Sequence, residues 1–164
     1  MTKDELEESL MYQDFIADEL LTQLGWCINL YTSRQYQYNK GESRAGVEIK
    51  YDKKMATTGN LYIETHERHD VNKEYVASGI NRQDNTILWC IGDTRKAYIF
   101  VKHQLQYLCY HHKQFGFKVK QTPTSIGVLI PVKFLEENDI YVVKKLKFGG
   151  TYDKGNNTDE TTKP

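Results

Sequence analysis

"GVEIKYDKKMATTGNLYIETHER", residues Gly46–Arg68, decides how this chain is read, because it alternates. Successive side chains of a strand point to opposite faces. Val47, Ile49 and Tyr51 therefore share one face and Glu48, Lys50 and Asp52 the other; after the turn, Leu61 and Ile63 continue the apolar side, and Asn60, Tyr62, Glu64 and His66 the charged side. Read as a hairpin with its turn centred on Thr58 in "MATTG", the stretch sets Asp52 opposite Glu64 and Lys50 opposite His66. Directly opposed residues bring their Cβ atoms to about 5 Å, and two carboxylates at that separation repel unless a cation binds between them. A hard divalent ion such as Mg2+ or Mn2+ suits two oxygen ligands and keeps its other positions for water and a phosphate oxygen. It lowers the pKa of bound water and stabilises a leaving alkoxide, while a neighbouring Lys orients the nucleophile and screens developing charge. These are the parts of phosphodiester hydrolysis. The plain alternative is a solvated strand face that holds no ligand.

Outward from this stretch, 164 residues suffice for one sizeable core and are too few for two ordinary domains. Hydrophobic content of 39% with 12 Tyr, 6 Phe and 2 Trp excludes a disordered chain, and a mean hydropathy of -0.67 implies a wet, charged surface. No apolar run approaches the roughly 20 residues of a membrane span, and the acidic start (Asp4, Glu5, Glu7, Glu8) is unlike a signal peptide. A cytoplasmic protein is expected. Cys27, Cys90 and Cys109 are widely spaced and odd in number, which argues against a disulfide framework or a zinc knuckle. The formal charge of zero conceals a segregation: residues 1–24 hold one Lys against seven acids, whereas residues 25–120 hold fifteen Lys or Arg against nine. The basic middle hints at an anionic partner.

Apolar residues recur at helical spacing from Lys3 to Leu24, and Gly25 stops that helix. "WCINLYTSRQYQY" reads as a strand running into the polar loop "NKGESRAG". After the hairpin, "ERHDVNKEYVASGINRQDN" is an excursion with little regular structure. "TILWCI" and "KAYIFV" are unbroken apolar runs, the mark of central strands covered on both faces. "KHQLQYLCYHHK" is a short helix; "FKVKQ", "IGVLIP" and "DIYVVKKLKF" are further strands, with a helical turn in "VKFLEEN". Residues 1–148 are expected to form one domain, and 149–164, which have nothing to bury, a disordered tail. The order of elements gives an α+β or mixed α/β sandwich, expected to have a central mixed sheet with flanking helices.

This order of elements, with an Asp on one strand of the hairpin and a Glu on the next, resembles the PD-(D/E)XK nuclease superfamily. The resemblance implies a restriction-endonuclease-like core and metal-dependent cleavage of nucleic acid, DNA above all, with Asp52 and Glu64 as ligands of Mg2+ or Mn2+. It also implies a Glu on the first helix, for which Glu19 is the candidate, with Glu8 on the same flank. The chain departs from the family where a Lys should follow the Glu by two residues: the sequence there is "ETH". Lys50 on the neighbouring strand would supply the amine, or His66 would act as a neutral imidazole. A decayed site would leave a non-catalytic nucleic-acid- or protein-binding module on the same scaffold, of the kind used in phage defence or counter-defence.

The loop "YTSRQYQYNKGESR" interleaves tyrosines with Arg34, Lys40 and Arg44, and Lys53 and Lys54 follow Asp52. Such cations neutralise phosphates and such rings stack on bases, which makes these five residues candidates for nucleic-acid binding; an edge strand with solubilising charges reads the same way. His66 and His69, or His111 and His112, are poorly spaced for zinc. GxGxxG, GxxxxGK[ST] and GxSxG are absent, leaving no sign of a nucleotide-binding loop or a serine hydrolase. Long apolar strands would permit a homodimer.

Overall fold

The computed structural model describes residues 3–149; the tail expected from Gly149 onward lies, from residue 150, outside the described residues. In chain order the first elements are α1 (Lys3–Leu24), α2 (Arg34–Lys40), β1 (Val47–Tyr51), α3 (Met55–Thr58), β2 (Asn60–Glu67) and β3 (Val76–Ala77). A 3₁₀ turn (Gly79–Asn81) leads to β4 (Leu88–Gly92), β5 (Lys96–Val101), α4 (Lys102–Tyr110) and α5 (His112–Phe115). The described residues end in β6 (Lys118–Gln121), β7 (Ser125–Pro131), α6 (Val132–Glu137), a second 3₁₀ turn (Asp139–Tyr141) and β8 (Lys144–Lys147).

The mixed α and β composition expected from the sequence is present, but the single central sheet is replaced by two. One has the strand order β1-β4-β5-β8 and the other β3-β2-β7-β6. "LWCIG" and "KAYIFV" do take the middle of the first sheet as an antiparallel pair. One face of that sheet buries Val47, Ile49, Cys90, Ala97, Ile99 and Leu146 against Tyr12, Ile16 and Leu20 of α1. Its other face packs Trp89, Ile91, Tyr98 and Phe100 against Leu61, Ile63, Val128 and Ile130 of the second sheet, with Leu105 and Leu108 of α4 closing the core. The molecule is thus layered helix, sheet, sheet, and continuous apolar runs in β4 and β5 are what a doubly covered layer requires.

The hairpin is the principal correction. β1 runs parallel to β4, pairing Glu48 with Trp89 and Lys50 with Ile91, whereas β2 is antiparallel to β7, pairing Tyr62 with Leu129 and Glu64 with Gly127. Strands β1 and β2 belong to different sheets, so Asp52 is not registered against Glu64, nor Lys50 against His66. The cause lies in the connector: residues Met55–Thr58 form a helical turn with Met55 buried in the core, too long for a two-residue hairpin turn. Asp52 caps this corner, accepting the Lys54 N–H at 3.1 Å and the Tyr62 N–H at 2.8 Å.

A second correction concerns "WCINLYTSRQYQY". It contributes one isolated bridge, Leu30 to Ser43, and then α2, whose N-cap Ser33 accepts the Tyr36 N–H at 3.5 Å. A strand there has no free edge to join. The outer edge of β1 is taken by side chains: the Val47 N–H donates to Ser43 Oγ at 2.9 Å and the Ile49 N–H donates to the Glu42 carboxylate. Among the described residues no helix is long and apolar enough to cross a membrane.

Ile63, fully buried where the two sheets meet, is expected to lose about 2–5 kcal/mol on substitution by Ala. Val119→Ala, on the exposed edge strand β6, should change stability by at most about 0.5 kcal/mol. Urea unfolding of the two variants beside the parent measures both.

Candidate functional site

Strand alternation puts Glu48 and Lys50 on the face of the first sheet opposite α1, and the Asp52 corner folds β2 back beside them. Asp52 and Glu64 thereby line one cleft of about 640 Å3 together with Glu48, Lys50, Arg82 and Trp89. The pairing inferred from a hairpin does not exist, yet the side chains meet, because the corner brings the two strands together at the seam between the sheets.

Burial raises the carboxyl of Asp52 above its ordinary value, although the Tyr62 and Lys54 amides pull against that shift. Glu64 is raised as well, by burial first and by the nearby Glu67 charge, against the hydrogen bond from Ser78. Ser78 Oγ donates to Glu64 Oε1 at 3.0 Å and fixes one oxygen. The following Gly79 has φ +52°, and a Cβ there would stand 2.3 Å from the Glu64 carbonyl oxygen, so only glycine lets this turn press against β2.

Under the cleft lies a charge network. Glu48, wholly buried, accepts from Arg82 Nη2 at 3.2 Å to each oxygen and from Thr86 Oγ1 at 3.0 Å, and pairs with Lys50 Nζ at 2.8 Å. Lys50 also approaches Glu42 to 3.8 Å and stands 5.6 Å above the Trp89 ring. Burial opposes the charge of Lys50, but Glu48 and Glu42 outweigh it and hold its ammonium above the usual range. Glu42 is raised by burial, and its Oε1 accepts from Gln13 of α1 at 2.5 Å. Arg82 is anchored by Asp84 at 2.7 Å, and Asp84 is itself bound by Lys102 at 2.9 Å. Burial would raise Asp84, yet Lys102, Arg82 and Thr86 hold it far below the ordinary carboxylate range. Trp89 carries a buried indole N–H without a hydrogen-bond partner among the described residues. A buried, unpaired donor in the wall of a polar cleft is costly unless a bound water or ligand oxygen accepts from it.

His66 is not part of this constellation. Strand β2 has a bulge between Glu64 and His66, which turns Glu67 rather than His66 toward the cleft. His66 instead contacts Thr65 Oγ1 at 3.0 Å and lines a separate cavity with Cys109 and His112. Glu19 is also remote: it accepts from Gln23, whose amide also reaches the Lys147 carbonyl of β8, at the opposite edge of the sheet from β1. The amino-terminal half of α1 is what approaches the site, through Gln13 and through an ion pair between Glu8 and Lys53.

Of the five candidate nucleic-acid contacts, Lys53 and Lys54 directly follow Asp52 and line a shallow cavity with it. Lys40 and Arg44 are exposed in and after α2, Arg44 lying 5.9 Å over the Tyr31 ring, and Arg34 opens α2. Arg82, Ser78 and Trp89 had no sequence signal as site residues: the first two sit in the aperiodic excursion, and Trp89 is indistinguishable from core in "TILWCI". Among the described residues no three His, Cys, Asp or Glu side chains form a group able to hold a metal ion by themselves. Comparison of the chain with protein-family models, with curated proteins and with solved structures returns no match in any of the three.

Because Glu64 has a raised folded-state pKa, the fold prefers its protonated form, and the associated stability is lost as pH rises through that value. Glu64→Gln should therefore melt at a higher temperature than the parent near pH 8. The difference should shrink to nothing as pH falls below about 4.3, the ordinary glutamate value. Melting curves across this range measure it.

Proposed function

We propose that this cleft hydrolyses phosphodiester bonds of nucleic acid, with DNA as the expected polymer, in a divalent-cation-dependent reaction on a restriction-endonuclease-like arrangement. The observation that carries the reading is the meeting of Asp52 and Glu64, both with the ionised form disfavoured by burial, in one cleft with Lys50 and Arg82. Buried acids that would ionise more readily beside a positive charge are a suitable donor set for Mg2+ or Mn2+. Two carboxylates suffice for an ion that keeps water and substrate oxygens as its remaining ligands. When bound, such an ion supplies Lewis-acid stabilisation of phosphoryl oxygens and an activated water.

The chain's own groups do the rest. Ser78 orients Glu64, and the Tyr62 and Lys54 amides orient Asp52. Lys50, fixed by Glu48 and 40% exposed along its side chain, presents an ammonium toward a phosphate oxygen or an attacking water. It occupies the role for which His66 was the other candidate.

A non-catalytic binding module is supported by a different observation: both Asp52 oxygens already accept backbone N–H groups, and Lys50 and Arg82 are both paired with Glu48.

The experiment is cleavage of plasmid DNA, single-stranded DNA and RNA with Mn2+ or with EDTA. Glu64→Gln is the cleaner variant, because Asn at position 52 keeps one acceptor oxygen where two amides need partners. Metal-dependent cleavage that falls by about 100-fold or more in Glu64→Gln is the expected result. Mn2+ should also raise the melting temperature of the parent and not of that variant. Cleavage by none of the preparations, with no Mn2+-induced stabilisation, leaves the binding module.

A further inference from the structure

We propose that Lys54 and Lys120 form a second phosphate subsite of this cleft, on the other side of Asp52 from Lys50 and Arg82. The inference rests on the nucleic-acid reading above and extends it to a residue, Lys120, that no motif singles out. In the second sheet Glu64 pairs with Gly127, and Gly127 with Lys120, so the three residues form one row on one face. At a strand spacing of about 4.8 Å, the Lys120 backbone lies about 10 Å from that of Glu64. Nothing projects between them from position 127, where a Cβ would fall 2.4 Å from the Tyr62 ring. That ring lies across the gap with its hydroxyl 2.8 Å from Ser125 Oγ, and Tyr62 and Asp52 line the cavities on both sides.

The cavity beyond Asp52 measures about 180 Å3 and is lined by Lys54, Thr58, Asn60, Lys120 and Thr122 as well as Tyr62. Its neutral polar side chains are satisfied internally. Thr58 Oγ1 donates to the Lys54 carbonyl at 2.9 Å, Asn60 Nδ2 to the Thr58 carbonyl at 2.7 Å, and Thr122 Oγ1 to the Ser125 carbonyl at 3.2 Å. Asp52 is committed to two backbone amides. What remains are the two ammonium groups, neither of which forms an ion pair among the described residues, in contrast to Lys53 with Glu8 and Lys102 with Asp84. Two ammonium groups that line one small cavity, with Leu129 as its apolar wall, can both donate to a single anion, and a phosphate has enough oxygens to accept from both. Because the cavity adjoins Asp52, the phosphate that fits is one from the strand already seated at Asp52 and Glu64.

The test is equilibrium binding of fluorescent single-stranded and duplex oligonucleotides in EDTA, across a salt series. The proteins compared are the parent, Lys54→Ala/Lys120→Ala, and Lys113→Ala as a control on α5 away from the cavity. The double variant should bind more weakly, with the slope of log K against log salt reduced by about 1.4 for single strands or about 1.8 for duplex. The control should match the parent, and all three should melt alike, since both lysines are exposed. An unchanged slope, an equal loss of affinity for poly-glutamate, or no binding of either nucleic acid by the parent overturns the subsite. A reduced slope without cleavage of any substrate keeps the subsite and removes the nuclease reading; cleavage with an unchanged slope does the reverse.

Discussion

The arrangement turns on the Asp52 carboxylate. Its two oxygens accept the N–H groups of Lys54 and Tyr62, one just after β1 and the other inside β2. These bonds close a corner at which the chain leaves one sheet and enters the other, and the buried Met55 nails the intervening turn to the core. That corner joins the strand of Glu48 and Lys50 to the strand of Glu64, and the segment from Ser78 to Arg82 ties them again through Glu64 and Glu48. An ionised acceptor for two backbone donors is a stronger restraint than a neutral one, which gives Asp52 a structural reason to be acidic besides any chemical one. The same bonds fix the orientation of its carboxylate at the edge of the cleft.

Around the corner the protein buries several charges at once. Glu48 is shielded from water but surrounded by Arg82, Lys50 and Thr86, and Asp84 by Arg82, Lys102 and the Thr86 amide. Removing one partner from such a network would leave an uncompensated buried charge, costing roughly 3–5 kcal/mol. The network is therefore a rigid base: it holds Lys50 and Arg82 at the cleft wall and joins β1, the segment after the 3₁₀ turn, and the start of α4. Among the described residues, Asp52 and Glu64, by contrast, lack a cation as close as those of Glu48 and Asp84. The cleft pairs a neutralised floor with under-compensated acids, and this contrast distinguishes a candidate site from an ordinary polar surface.

Much of this was legible in the residues. Alternation in "GVEIKYD" and "NLYIE" assigned Glu48, Lys50, Tyr62 and Glu64 to the polar side and Val47, Ile49, Leu61 and Ile63 to the apolar side, and burial agrees except at Glu48, which is wholly buried in the charge network. The unbroken runs of β4 and β5 marked the doubly covered strands, and spacing found α1 and α4. Three things were not legible. A bulge after Glu64 reverses which of His66 and Glu67 faces the cleft, and a one-residue irregularity leaves no trace in a period-two pattern. The aperiodic segment holding Ser78 and Arg82 gains its place only from partners far along the chain, Glu64 and Glu48. The aromatic stretch after α1 has strand propensity but meets an edge already occupied by Ser43 and Glu42.

The sequence by itself determined the faces of most strand residues and the longer helices α1 and α4, because both follow from local periodicity; α2, which sits in a stretch read as a strand running into a loop, and the faces of His66 and Glu67 did not follow from it. Which strands pair was decided only in the tertiary structure. Pairing depends on whether the connector turns back within a sheet or crosses to another, and the four residues Met55–Thr58 cross. The Asp52 and Glu64 side chains arrive in the same cleft by either route, since both lie on the polar faces that the seam between the sheets brings together.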